Sequence, residues 1–209
     1  MKPQRNQRRI VLLSRLTALV VSGVFLAACG GLTKSDKPAV QTWWLEPVSL
    51  SGVSDQEIVD VSIYVSAVPG LDTDKLLTLS AQAELSHFAG ARWVDNAPEL
   101  FNSLISRSLE SGGKYNTSEA RSEDGHEQCK LVLELTEFFT RVSSGADSTA
   151  SATGTSLAFS GYFQCSENAS VEVSFEGSRS VNGNRIESIV AAFQNMSDQA
   201  FREILKQLK

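Results

Sequence analysis

Four stretches of this sequence alternate apolar and polar residues with a period of two, and only an extended strand puts such residues on opposite faces. In residues 58–65, Val59, Val61, Ile63 and Val65 share one side, and Ile58, Asp60, Ser62 and Tyr64 share the other. Within 130–139, Leu131, Leu133 and Leu135 oppose Glu134 and Thr136. Leu157, Phe159 and Phe163 fall in register with Cys165, and Val171, Val173 and Phe175 repeat the pattern. Shorter strand signals occur at Thr42-Trp43-Trp44-Leu45 (stopped by Pro47), at 76–79, at 84–88 and at 115–119. Each strand therefore has an apolar face that needs a cover.

Two helical stripes can supply that cover. Asp95 or Asn96 caps the first and Pro98 lies in its first turn; Leu100, Phe101, Leu104, Ile105 and Leu109 follow helical spacing until Gly112-Gly113 ends it. The second runs over 185–208, where Ile186, Ile189, Val190, Phe193, Met196, Ala200, Phe201, Ile204, Leu205 and Leu208 form one stripe. We read this stripe as a cover for the sheet; a partner-binding helix is the other reading. The order of elements predicts an α+β fold, a mainly antiparallel sheet with two helices packed on one face. The Ser/Thr/Ala/Gly-rich stretch 143–156 reads as a long flexible hairpin tip or a weakly packed strand edge, and 122–128 reads as a charged loop.

The first thirty residues are of a different kind. Lys2, Arg5, Arg8 and Arg9 precede a mostly apolar segment, broken by Arg15, that ends Leu26-Ala27-Ala28-Cys29-Gly30. A basic start, a short apolar run and small residues at the cut site make a secretory signal. Leu-Ala-Ala-Cys resembles the bacterial lipobox. The resemblance implies cleavage before Cys29, a thioether-linked diacylglycerol on its sulfur and an N-acyl chain on its amine. Two or more acyl chains anchor stably. Gly30, in place of Asp, favours the outer membrane by analogy with enteric sorting. The expected organisation is a signal peptide over 1–28, an acylated tether over 29–41 and a folded domain over 42–209.

Removing 28 of the 209 residues leaves 181, and takes five of the 19 basic residues but none of the 24 acidic ones. The remainder, 14 basic against 24 acidic, carries −10. That balance argues against nucleic-acid binding and against a broad basic face for anionic lipid. The mean hydropathy of −0.10 excludes a polytopic membrane protein. With Cys29 committed to lipid, Cys129 and Cys165 remain in an oxidising compartment. They form either a disulfide, stabilising by roughly 4 kcal/mol through loop closure, or two buried free thiols; the compartment favours the bridge.

Chemistry is sparse. There is no Gly-x-Ser-x-Gly elbow and no Walker motif. Two histidines, His87 and His126, stand at no metal-ligand spacing, and a solvated or packed role suits both. Asp72 and Asp74 suit turn capping, and Glu134 and Glu137 a solvated strand face. No active site, metal site or non-covalent cofactor is expected.

Several segments, in order, resemble the family of ABC-type transport auxiliary lipoproteins. They are Trp43-Trp44-Leu45-Glu46-Pro47 soon after the lipidated Cys, Val68-Pro69-Gly70-Leu71-Asp72 after the first long strand, and Ala91-Arg92-Trp93-Val94 before the first helix. The strand ending Glu137-Phe138 and the closing helix with Val190-Ala191-Ala192-Phe193 complete the series. The resemblance makes Trp44, Leu45, Pro69, Arg92, Trp93 and Phe193 family-motif positions. It implies a non-enzymatic auxiliary lipoprotein at the periplasmic face of the outer membrane. The implied partners are a mammalian-cell-entry-domain substrate-binding subunit with its permease and ATPase, and the transported class is lipid. The alternative is an outer-membrane scaffold or regulator for cell-wall synthesis or outer-membrane assembly. Self-association into a homo-oligomer is compatible with either role.

Overall fold

The computed structural model describes residues 39–50, 58–117, 127–143, 151–166 and 169–208. The signal segment, Cys29, most of the expected tether and His126 lie outside the described residues. In chain order the elements are β1 (Gln41–Trp43), β2 (Val59–Ala67), β3 (Lys75–Ser80), β4 (Leu85–Trp93), α1 (Ala97–Glu110), β5 (Tyr115–Asn116), β6 (Glu127–Ser143), β7 (Ser151–Cys165), β8 (Val171–Ser180) and α2 (Ile186–Gln207).

All eight strands of the described residues join one sheet. The α+β class stands, but the sheet is mixed, which corrects the expected mainly antiparallel one. Antiparallel pairing joins β3 to β4, β6 to β7 and β7 to β8. Parallel pairing joins β1 to β4, and β2 to both β5 and β6, and β3 to β6. Alternation assigns residues to faces and carries no information about direction. The chain between β2 and β6 includes three strands and α1, a connection long enough to bring β6 back parallel.

β6 organises the sheet. β7 pairs along nearly its whole length on one side. On the other side β2 pairs with its first half, from Val59 opposite Glu127 to Ala67 opposite Leu135. β3 takes over further along, from Thr78 opposite Thr140. Pro69-Gly70 makes the break between them. Leu71 N donates to Val68 O at 3.1 Å, and Gly70 has φ +94°. With Pro69 second and glycine third, this is a type II turn, whose third residue needs positive φ.

A bulge redirects β6 midway. Leu135 faces Phe159, yet Glu137 faces Ala158, so Thr136 is an extra residue. The insertion inverts the alternation after it. Phe138 joins Leu131, Leu133 and Leu135 in the main core, while Phe139 packs with Leu71 and Leu77 in a smaller cluster.

The second half of the Ser/Thr-rich stretch is also corrected. Residues 151–156 belong to β7, an interior strand between β6 and β8, and neither a hairpin tip nor a sheet edge. Ala152, Thr155 and Ser156 are buried there, and Arg141 Nε donates to Ser156 Oγ at 2.9 Å. Small and hydroxylated residues fit a strand with neighbours on both sides because they can satisfy their hydroxyls locally. Residues 144–150 lie outside the described residues, as do 122–126 of the expected charged loop, whose remainder is strand.

Close β6–β7 approach explains Gly161. A Cβ built there would lie 1.9 Å from Val132 O. Gly161→Ala must therefore push two backbones apart. We expect a loss of about 1–3 kcal/mol, read as a lower urea midpoint at unchanged slope. A change within about 0.5 kcal/mol, the range of neutral surface substitutions, would contradict the close approach.

α1 packs on β2, and α2 packs on β8 and β7. Leu100, Phe101, Leu104, Ile105 and Leu109 from α1, with Ile189, Phe193, Met196, Phe201 and Ile204 from α2, are buried in the same core. Phe138 is its aromatic centre: its ring centroid lies 5.1 Å from Trp93, 5.1 Å from Phe101 and 4.7 Å from Phe193. Asn96 occupies the α1 N-cap position, but its side chain makes no cap bond. Its Nδ2 donates instead to Asp72 Oδ1 at 2.8 Å, tying the helix start to the loop after β2.

Candidate functional site

The chain leaving β1 does not turn into solvent. Residues 44–50 lie as a strap against both helices. Glu46 N donates to Gln194 Oε1 at 2.8 Å, and Gln194 Nε2 donates back to Glu46 O at 2.9 Å, so one amide side chain on α2 satisfies both backbone groups. On the α1 side, Arg107 donates to Leu45 O at 3.2 Å. Val48 N donates to Ser108 Oγ at 3.0 Å, and Leu50 N to Ser111 Oγ at 2.9 Å. These bonds give an irregular segment the partners its backbone would otherwise find in water or a sheet. Within the strap, the Leu45 side chain is fully buried.

Three family-motif positions therefore converge on structure. Leu45, Trp93 and Phe193 are all buried in the main core, with Trp93 and Phe193 rings edge to face at 5.5 Å. Pro69 sits in the type II turn described above. Arg92 is exposed on β4; it reaches Asp74 at 3.6 Å and Thr42 Oγ1 at 3.5 Å. An exposed pair at that distance contributes little. Trp44 differs from the others. It is 47% exposed, and the Arg107 guanidinium stacks over its ring at 4.1 Å.

Arg107, Ser108, Ser111 and Gln194 were not legible as a set. One signal was present: Ser108 occupies a buried position on the apolar stripe of α1, and a hydroxyl there needs a partner. Its Oγ donates to Leu104 O at 2.7 Å and accepts from the strap.

The remaining candidates are dispersed. His87 is exposed on β4, across the ladder from Leu77. Asp72 accepts from Asn96, Asp74 meets Arg92, and Glu137 pairs with Arg141 at 3.3 Å. Glu134 is exposed on the outer sheet face. Among the described residues no three His, Cys, Asp or Glu side chains gather as a metal site would require. No helix of the described residues is long and apolar enough to cross a membrane.

Among the described residues, clefts open at the surface in at least two places. One, of about 310 Å³, is lined by Val59, Tyr115, Cys129, Cys165 and Leu208, with Lys114 its only charged residue. Another, of about 410 Å³, has Glu84 and His87 as its titratable groups. Ser80, in its lining, closes the β3–β4 turn by accepting from Glu84 N at 3.1 Å.

Cys129 and Cys165 are Cα partners across β6 and β7, and their sulfurs are bonded in the structure. We expect the same bond in protein taken from cells. Non-reducing peptide mass spectrometry should recover one species holding both cysteines; both thiols alkylated without prior reduction would exclude it.

Residues 45–205 match the family model described as the ABC-type transport auxiliary lipoprotein component. Among solved structures, the crystal structure of a Xanthomonas campestris protein assigned to DUF330 is similar at a TM-score of 0.59 and 16% identity, over 79% of this chain and 92% of that one. A second, described only as an uncharacterized protein, gives 0.57 and 9% identity over 81% and 99%. At these identities the likeness is one of fold. No curated protein shows a significant match to the chain.

Proposed function

The chain belongs to the family of ABC-type transport auxiliary lipoprotein components, and from that premise we propose that it is a non-enzymatic subunit of a system moving lipids across the Gram-negative envelope. The family places it with a transport system at the cell envelope. The finer reading adds an acyl anchor on Cys29 in the outer membrane, facing the periplasm. It also adds a mammalian-cell-entry-domain subunit, with permease and ATPase, as partners. The family match across 45–205, in a chain with Leu26-Ala27-Ala28-Cys29 upstream, carries this reading.

The arrangement of the domain supports it. The motif residues Leu45, Trp93 and Phe193 lie in the core, and the polar residues around the strap hold backbone. Such a body suits docking between other components, with ATP hydrolysis belonging to another subunit. Purification of the lipoprotein in mild detergent after in-cell crosslinking tests the proposal. Recovery of a mammalian-cell-entry-domain protein is the expected result. Consistent recovery of cell-wall or outer-membrane assembly components in its place would overturn it.

A further inference from the structure

We propose that the sheet edge bearing Val40, Trp44 and Val94 is a second, non-covalent contact with the lipid surface. The proposal rests on the acyl anchor at Cys29 set out above. These three residues are 50%, 47% and 50% exposed. They occupy one place in the fold: Val40 immediately precedes β1, Trp44 immediately follows it, and Val94 N donates to Trp43 O at 2.7 Å. Ile58, Tyr64, Leu85, Tyr162 and Val171 are also exposed; single exposed apolar residues are ordinary, and it is the grouping of three at the end of one ladder that calls for a reason.

The tether supplies the reason. Ten residues, 30–39, separate Cys29 from Val40. Eleven extended steps reach about 36–40 Å at most, so a membrane-held Cys29 keeps this edge within that distance of the bilayer, and it is the part of the domain nearest the anchor along the chain. Tethering makes a weak contact effectively intramolecular, and a small apolar edge then suffices. The residue types also fit a bilayer interface. Tryptophan favours the headgroup level, where its ring is half buried and its N–H stays wet. Arg107, stacked on Trp44, presents a cation that can remain at the headgroups while its stem covers apolar surface. The −10 balance of the chain after residue 28 leaves no broad electrostatic attraction, so the contact is apolar and should persist at high salt.

Other exposed aromatics lie elsewhere. Tyr64 and Tyr162 share a ladder row through Val132, and β2 stands four strands from β1 in sheet order. They provide an internal control.

The test uses the full lipidated protein in phosphatidylcholine vesicles carrying bromine at a shallow acyl position. Of the three tryptophans, Trp93 is 1% exposed and insensitive, and Trp43 is half-buried against the core and contributes only the residual quenching left in Trp44→Phe. The expected result is quenched emission in the wild type, loss of most of that quenching in Trp44→Phe, reduced quenching in Val94→Ser, and no change in Tyr64→Ser. Flotation of the same samples separates the two claims. Protein that fails to float overturns the acyl anchor and this contact with it. Protein that floats with Trp44 unquenched, or with Trp44→Phe quenched as strongly as wild type, overturns the contact alone. Circular dichroism of each variant verifies that the fold is intact.

Discussion

Replacing Cys29 by Ser is expected to move the protein from the membrane fraction to the soluble periplasmic fraction. The sulfur is the proposed attachment point for diacylglycerol, and no other residue in Leu26-Ala27-Ala28-Cys29 can form a thioether. Each acyl chain contributes about 0.8 kcal/mol per buried methylene, and one myristoyl chain alone gives a binding constant of only about 10⁴ M⁻¹. Two or three chains therefore make the difference between a protein permanently at the bilayer and one that is not. The edge at Trp44 cannot compensate, since three side chains bury far less apolar surface than one acyl chain. Fractionation, together with incorporation of labelled palmitate, measures the effect. A Cys29→Ser protein that stays wholly in the membrane fraction and still incorporates palmitate would exclude Cys29 as the anchor.

Trp93→Ala should cost about 3–5 kcal/mol, the range for truncating a large buried aromatic. Trp93 is 1% exposed and packs against both the Phe138 and the Phe193 ring, at 5.1 and 5.5 Å, the three rings forming a triangle. These rings come from β4, β6 and α2, so the cavity would open where the sheet meets its cover. The neighbouring substitution, Arg92→Ala, should cost less than about 1 kcal/mol, because its pairing with Asp74 is exposed. The contrast separates the two halves of an adjacent motif pair. Urea denaturation of both variants measures it; equal losses would mean that the Arg92 side chain matters to the fold in a way its contacts do not show.

The sequence was most readable where the physics is local. Both helix stripes follow from spacing within one element. Phe193 reads as core for the same reason, whereas Trp93 lies on no such stripe and only the fold places it in the core. Strand direction was not readable, because Leu131, Leu133 and Leu135 alternate identically in either sense. The bulge at Thr136 has no mark of its own; its effect shows only in Phe138 and Phe139 turning to opposite faces. The strap was the least accessible feature. Glu46 and Gln194 are 148 positions apart, and nothing about an isolated glutamine on a helix names the backbone it will hold. Trp44 shows the same limit from the other side. It adjoins Trp43 and resembles it chemically, yet only the fold leaves it half in water with Arg107 over its ring.

The strap has a mechanical consequence. With the proposed anchor at Cys29, tension between membrane and partner would enter the fold at Gln41. The three residue pairs of the β1–β4 ladder carry the load first. The buried Leu45 plug and the twin Gln194 bonds come next, and they distribute the pull onto α2 while Arg107, Ser108 and Ser111 pass it to α1. Yielding should therefore begin as peeling at this corner, with the long β6–β7–β8 ribbon still intact, so that the domain lengthens its leash before it loses its shape.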